Sequence, residues 1–206
     1  MRTALIAMLT ASLLAGAATA GNYETFENQV AFGPTPAPEW AGFYLGAVAG
    51  TETGSITFDR VGIHPLSGNL SGAFAGANFQ RWGFVFGGEG AYLGGNVHRV
   101  INGHHFTNRR FEHIFDLKAR AGFQRGTTFA YGIIGKSFAV YKDRDGPHRW
   151  VTTTGINYGA GVEIRLNDHI FTGVEYLARQ VSGINNIQTV HYFDINSIQI
   201  RFGWQF

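Results

Sequence analysis

The sequence predicts an all-β fold, an eight-stranded, antiparallel, up-and-down transmembrane β-barrel. Three observations lead there. Apolar and polar residues alternate with a period of two, which sorts them onto the two faces of strands. The connections between alternating segments are long and short in turn, so the chain passes up and down. Only 15% of the 206 residues are charged, against about 25% in an ordinary soluble domain, which is thin cover for a water-facing surface.

The first element precedes the barrel. Met1 to Ala20 has a basic start at Arg2, an apolar stretch from Ala4 to Ala15, and Ala18-Thr19-Ala20 as a small-residue cleavage site, the pattern of a removable signal peptide. Its apolar run of roughly 12 residues is shorter than the roughly 20 a spanning helix needs. Cleavage starts the mature chain near Gly21 and, by removing Arg2 from the 16 basic side chains, leaves 15 against 14 acidic ones. So small a surplus gives no reason to expect nucleic-acid binding. Residues 21–39 carry Pro34, Pro36 and Pro38 with no apolar period and read as an extended periplasmic leader, with the barrel occupying 40–206.

Within the barrel, weaker alternation at 42–50, 70–79 and 84–92 marks the first three strands, their parity blurred by glycine and alanine. The fourth, 115–123, is clear: Phe115, Leu117, Ala119, Ala121 and Phe123 oppose Asp116, Lys118, Arg120 and Gly122. A weaker fifth covers 129–141. In the sixth, Ile156, Tyr158, Ala160, Val162, Ile164 and Leu166 oppose Asn157, Gly159, Gly161, Glu163 and Arg165. A weaker seventh covers 170–179. The eighth alternates Ile198, Ile200, Phe202, Trp204 and Phe206 with Ser197, Gln199, Arg201, Gly203 and Gln205. Long connections are expected at 51–69, 93–110, 142–155 and 180–191, and short ones at 80–83, 124–128 and 167–169.

The polar face is rich in glycine, of which the chain has 29, and carries only isolated charges. As an exterior it would be nearly bare. Inside a narrow barrel it makes sense, and the apolar face then meets lipid, where closure pairs every backbone donor and acceptor. Trp40, Phe43, Trp82, Phe84, Phe123, Tyr158, Trp204 and Phe206, near strand ends, are the expected interfacial aromatics. Eight strands enclose a space that side chains nearly fill, so a plugged barrel is expected. Parity directs Glu89, Asp116, Lys118, Arg120, Lys136, Glu163, Glu175, Arg179 and Arg201 inward, with Arg165 near the short-turn end. Buried unpaired charges are costly, so Glu89, Glu163 and Glu175 should pair with Lys118, Arg120 and Arg201.

At this point the residues carry a family likeness. Trp40-Ala41-Gly42-Phe43-Tyr44-Leu45-Gly46-Ala47 resembles the first strand of small Gram-negative outer-membrane barrels of the opacity-protein, or porin-like, family. Phe84-Val85-Phe86-Gly87-Gly88-Glu89-Gly90, Gly159-Ala160-Gly161-Val162-Glu163 and Val174-Glu175-Tyr176 resemble its third, sixth and seventh strands, in that order. The terminal Phe206 resembles the end signal read by the outer-membrane assembly machinery. The resemblance implies an outer-membrane location, contact with lipid and lipopolysaccharide, no enzymatic residues, and loops too variable to transfer a ligand. Envelope structure, surface contact with a host or other ligand through the loops, and weak porin-like permeation follow as expectations.

Candidate chemistry beyond this is sparse. The absence of cysteine removes disulfides and thiolate sites. Most of the 8 histidines fall in expected long loops, and His98, His104, His105 and His148 are the candidates for an alternative role in surface haem or metal capture. Adjacent His104 and His105 rarely chelate one ion together, and no carboxylate or third histidine stands at a ligand-like spacing, so no metal site and no cofactor are expected. Arg99, Arg109, Arg110, Lys142, Arg144 and Arg149 outnumber Glu112, Asp143 and Asp145 at the long-loop end, a mildly basic rim suited to lipopolysaccharide phosphates. A lipid A-modifying enzyme would need a nucleophile beside a base. The strand serines Ser137 and Ser197 have no histidine at a two-residue offset, so no enzyme is expected.

Overall fold

A computed structural model of the chain describes residues 39–58, 62–101, 104–142, 150–184 and 190–206. The expected signal peptide and all but the last residue of the expected leader lie outside the described residues. Eight strands follow one another: β1 (Gly42–Phe58), β2 (Gly62–Arg81), β3 (Phe84–Ile101), β4 (His104–Arg125), β5 (Thr128–Lys142), β6 (Trp150–Arg165), β7 (Ile170–Ile184) and β8 (Val190–Gln205). Each pairs antiparallel with its neighbours in sequence, and β1 also pairs with β8, from Tyr44 opposite Gln205 to Phe58 opposite His191. Closure leaves no strand edge for lipid to meet.

The strands run far past the ends the alternation marked. Much of the expected loops 51–69 and 93–110 is ladder, with Thr51 opposite Asn69, Ser55 opposite Pro65 and Ile101 opposite His104. Strands of 15 to 22 residues result, whereas about 9–11 tilted residues cross the hydrocarbon. The excess stands beyond the membrane at the end opposite the tight turns 82–83 and 126–127, which is the extracellular end by the usual asymmetry of such barrels.

Parity sets the two faces. In β4 Leu117 is 47% exposed while Asp116 is fully enclosed. Exposed Phe43, Phe79, Phe84, Phe86, Phe123, Trp204 and Phe206 gather toward the turn end, with Phe84 and Phe123 rings 4.1 Å apart. Tyr92, Phe115 and Phe138 form the opposite rim of the belt, Tyr92 opposite Phe115 and Phe115 opposite Phe138 in register. Trp40 departs from the expected girdle: its ring is enclosed against Phe129 and Phe171, at 5.3 and 5.9 Å, beneath the Arg165 guanidinium. It precedes β1 and folds across the barrel mouth, where burial against three partners outweighs an interfacial position.

Above the belt the pattern inverts. Ile56, Leu66, Val97, Phe111, Ile114 and Phe193 are buried in the lumen while Thr51, Thr53, Asn69 and Asn96 face outward. Register irregularities between Gly94 and Val97 and between Phe111 and His113 mark this stretch, as bulges do where pairing must be re-aimed. Lumenal glycines make room for rings from neighbouring strands: a Cβ on Gly161 would lie 2.5 Å from the Tyr131 ring, and one on Gly203 only 2.2 Å from that of Phe171.

Candidate functional site

The lumen at membrane depth holds a buried ionic core, built strand by strand from inward positions. Glu89 comes from β3, Lys118 and Arg120 from β4, Glu163 from β6, Glu175 from β7 and Arg201 from β8, all 4% exposed or less. Lys118 Nζ sits 2.6 Å from Glu89 Oε1 and 2.8 Å from Glu175 Oε1. Arg120 divides its guanidinium between Glu89, at 2.9 Å, and Glu163, at 2.7 Å. Arg201 reaches all three carboxylates: Glu175 at 2.7 Å, Glu163 at 3.0 Å, and Glu89 through both terminal nitrogens. Three acids face three bases, so the cluster is formally neutral.

Two phenols complete it. Tyr131 Oη shares its single proton between Glu163 and Glu175, both at 3.1 Å, and Tyr44 Oη donates to Glu89 at 3.1 Å while accepting from Arg120 at 2.8 Å. The Arg120 guanidinium lies 3.9 Å from the Tyr131 ring centroid and that of Arg201 lies 4.0 Å from the Phe74 ring centroid. Planar, delocalised guanidinium groups suit this mixture of forked ion pairs and ring contacts better than ammonium would.

A second cluster stands nearer the extracellular end. Arg179 holds Asp116, at 2.7 Å through Nη2, and Glu52, at 3.0 Å through Nη1, and donates to Ser197 Oγ at 2.7 Å. Ser137 Oγ donates to Asp116 at 2.6 Å and accepts from Asn157 at 2.9 Å. Apolar layers seal both clusters off. Trp40, Phe129 and Phe171 lie below, and above them Phe111, Tyr141 and Phe193 meet with centroids 4.9 to 5.3 Å apart.

Eight of the nine residues expected in the lumen therefore face it: Glu89, Asp116, Lys118, Arg120, Glu163, Glu175, Arg179 and Arg201. Lys136 does not, and the expectation for it is corrected. It stands opposite Leu117 and Ile156, both lipid-facing, while its neighbour Ser137 is enclosed. Bulky residues stand on both parities of this strand, Phe129, Tyr131 and Ile133 on one and Ile134 and Phe138 on the other, so alternation alone did not mark its face. Sequence reasoning missed Glu52, although it shares two-residue parity with Tyr44 and Val48; a strand drawn to end at Gly50 left it out. It also missed Tyr44 and Tyr131, which an apolar tally counts with the lipid face.

Of the candidate loop ligands, His98 stands in β3 and His104 and His105 open β4, with side chains outside what the structure describes; His148 lies outside the described residues altogether. Ser137 and Ser197 are engaged with Asp116 and Arg179. Phe206 is exposed, and its backbone N–H donates to Phe43 O at 2.9 Å, securing the end of the chain beside β1.

The model of the outer membrane protein beta-barrel domain matches residues 4–206. A 25 kDa outer-membrane immunogenic protein of Brucella canis is 29% identical, over 98% of this chain and 97% of its own. A 22 kDa outer membrane protein of Rhizobium leguminosarum bv. viciae is 27% identical over 83% and 80%. Among solved structures, Neisserial surface protein A superposes with a TM-score of 0.55 at 15% identity, covering 81% of this chain and 98% of that one. That last likeness concerns the fold alone.

Proposed function

Because the chain belongs to the outer membrane protein beta-barrel domain family and resides in the outer membrane, we propose that it is a closed barrel serving envelope structure and surface contact. The observation that carries the proposal is the ionic core. The lumen at membrane depth is occupied by Glu89, Lys118, Arg120, Glu163, Glu175 and Arg201, whose side chains are 0 to 1% exposed and contact one another. A passing ion would have to separate buried pairs, each of which costs about 3–5 kcal/mol to break by loss of one partner. Weak permeation would require such a rupture, so the barrel rests closed.

Surface contact falls to the strand extensions, which lift the connections clear of the membrane and present hydroxyl and amide groups outward. The relatives called immunogenic in Brucella support exposure of this end. Export through a signal peptide at 1–20 and assembly through the Phe206 end signal belong to the same reading.

Planar-bilayer recording of the purified chain, combined with antibody labelling of intact expressing cells, tests the proposal. Silent bilayers and labelled cells are expected. A sustained open-channel current from the unaltered protein, or labelling only after the outer membrane is breached, would refute it.

A further inference from the structure

Between its aromatic rims the described lipid-facing belt carries one charged side chain, Lys136, whereas Arg81 stands at the turn-end rim beside Trp82. Lys136 lies between Leu117 and Ile156 in register, and the belt around it offers no carboxylate. Its ammonium lies 5.5 Å from the ring centroid of Phe138, the next outward-facing residue toward the extracellular end. The side chain thus leans toward the outer-leaflet headgroups, as long cationic side chains do. A lone ammonium against lipid is destabilising in a depth-dependent way, so an anion from outside the chain is the natural partner.

A groove adjoins it. Gly88, Gly90, Leu117, Ala119, Ile134 and Lys136 line a shallow apolar depression of about 580 Å³ on the outer wall of β3, β4 and β5. Two of its glycines differ from those of the lumen. A Cβ on Gly88 would approach nothing closer than 4.0 Å, and one on Gly90 nothing closer than 3.7 Å. No contact within the chain demands glycine at either place, and glycine in a strand often marks close approach by a ligand or a second backbone.

We propose that this groove and Lys136 bind one molecule of lipid A from the outer leaflet, an acyl chain lying over Gly88 and Gly90 and a glucosamine phosphate meeting the Lys136 ammonium. A second copy of the chain fits less well. Two-fold contact through this face would bring the two Lys136 side chains together with no lipid-facing carboxylate on either side to compensate. The outer leaflet is the source because the ammonium leans toward the extracellular rim formed by Tyr92, Phe115 and Phe138. The proposal rests on the outer-membrane reading and adds a specific lipid to it.

The test is native mass spectrometry of the full chain folded in detergent and supplied separately with bisphosphoryl lipid A, dephosphorylated lipid A and phosphatidylglycerol. The unaltered protein and Lys136→Arg should each retain one bisphosphoryl lipid A. Retention should fall about tenfold in Lys136→Gln, the loss expected for one charge-assisted contact, and similarly in Gly90→Leu, which fills the groove. Dephosphorylated lipid A should not distinguish the unaltered protein from Lys136→Gln. Equal retention of bisphosphoryl lipid A by those two overturns the site. Phosphatidylglycerol held as firmly as lipid A overturns the choice of lipid, and a dimer that excludes lipid hands the groove to a second copy. Heat-modifiable gel migration checks each variant's fold. Its absence in the unaltered protein would count against the barrel itself, whereas a folded protein indifferent to lipid A counts against this site alone.

Discussion

Glu89→Ala is the sharpest perturbation of the ionic core. Glu89 meets Lys118, Arg120, Arg201 and Tyr44. Its removal leaves Lys118, Arg120 and Arg201 facing only Glu163 and Glu175, one uncompensated positive charge among side chains that water does not reach. Loss of one partner from a buried pair costs about 3–5 kcal/mol, and roughly 1.4 kcal/mol corresponds to a factor of ten. The unfolding equilibrium should therefore shift by two to three and a half decades. Urea unfolding in detergent micelles, followed by tryptophan fluorescence and heat-modifiable gel migration, measures it. The double variant Glu89→Ala with Arg201→Ala restores neutrality, with two acids facing two bases, and should be less destabilised than the two single losses summed. The same charge imbalance should admit brief ion conductance in planar bilayers. A cost below about 1 kcal/mol, as for an exposed ion pair, together with additive single effects, would refute the claim that the core is dry and mutually dependent.

Other substitutions probe the remaining forces. Gly161→Ala would push a methyl against the Tyr131 ring and should destabilise by about 1–3 kcal/mol through overpacking, whereas Gly88→Ala, facing open space, should be near neutral; urea midpoints compare the two. Leu117→Arg places a second positive charge beside Lys136, one outward position inside the Phe115 rim, and should cost about 1–3 kcal/mol, between the midplane and interfacial values for a lipid-facing cation, measured by refolding yield into vesicles. The unfolding midpoint of the unaltered chain should change little between low and high salt, because buried pairs are screened far less than exposed ones. Deleting Phe206 should reduce outer-membrane insertion in cells while leaving refolding in detergent nearly intact; equal loss in both would make Phe206 a structural residue and not a signal.

The barrel was legible because lipid imposes one rule along each crossing segment. Where Asp116, Lys118 and Arg120 alternate with Phe115, Leu117 and Ala119, no other solvent arrangement satisfies both sets. The strand ends were hidden because that rule stops at the membrane surface. Thr51, Thr53 and Asn69 face outward beside lumenal Ile56 and Leu66, so a template seeking apolar residues outside reads the extensions as loops. The lumenal acids and bases were visible in type and parity, and Lys136 was misplaced where bulky residues stand on both faces of the strand, Tyr131 and Ile133 inward and Ile134 and Phe138 outward. Which acids meet which set of bases was legible, but how the contacts divide was not: Arg201 bridging three carboxylates depends on how the closed register brings β3, β6 and β7 around β8.

The inversion also explains how the ionic core is kept dry. Ion pairs are strong where the surroundings are poorly polarisable, but water entering from either mouth would weaken them by raising the effective dielectric. At the periplasmic mouth Trp40 lies across Phe129 and Phe171 with Arg165 above its ring. At the other end the strands continue past the membrane, and there, with water outside, the lumen becomes the only place to bury apolar groups. Phe111, Tyr141 and Phe193 fill it. The extracellular extensions are thus part of the same device as the core: by moving the apolar face inward where lipid ends, they supply the stopper that a uniformly inverted barrel would lack. A shorter barrel ending at Gly50 would expose Arg179 and Asp116 to solvent and leave the neutral cluster below them with one wall of water.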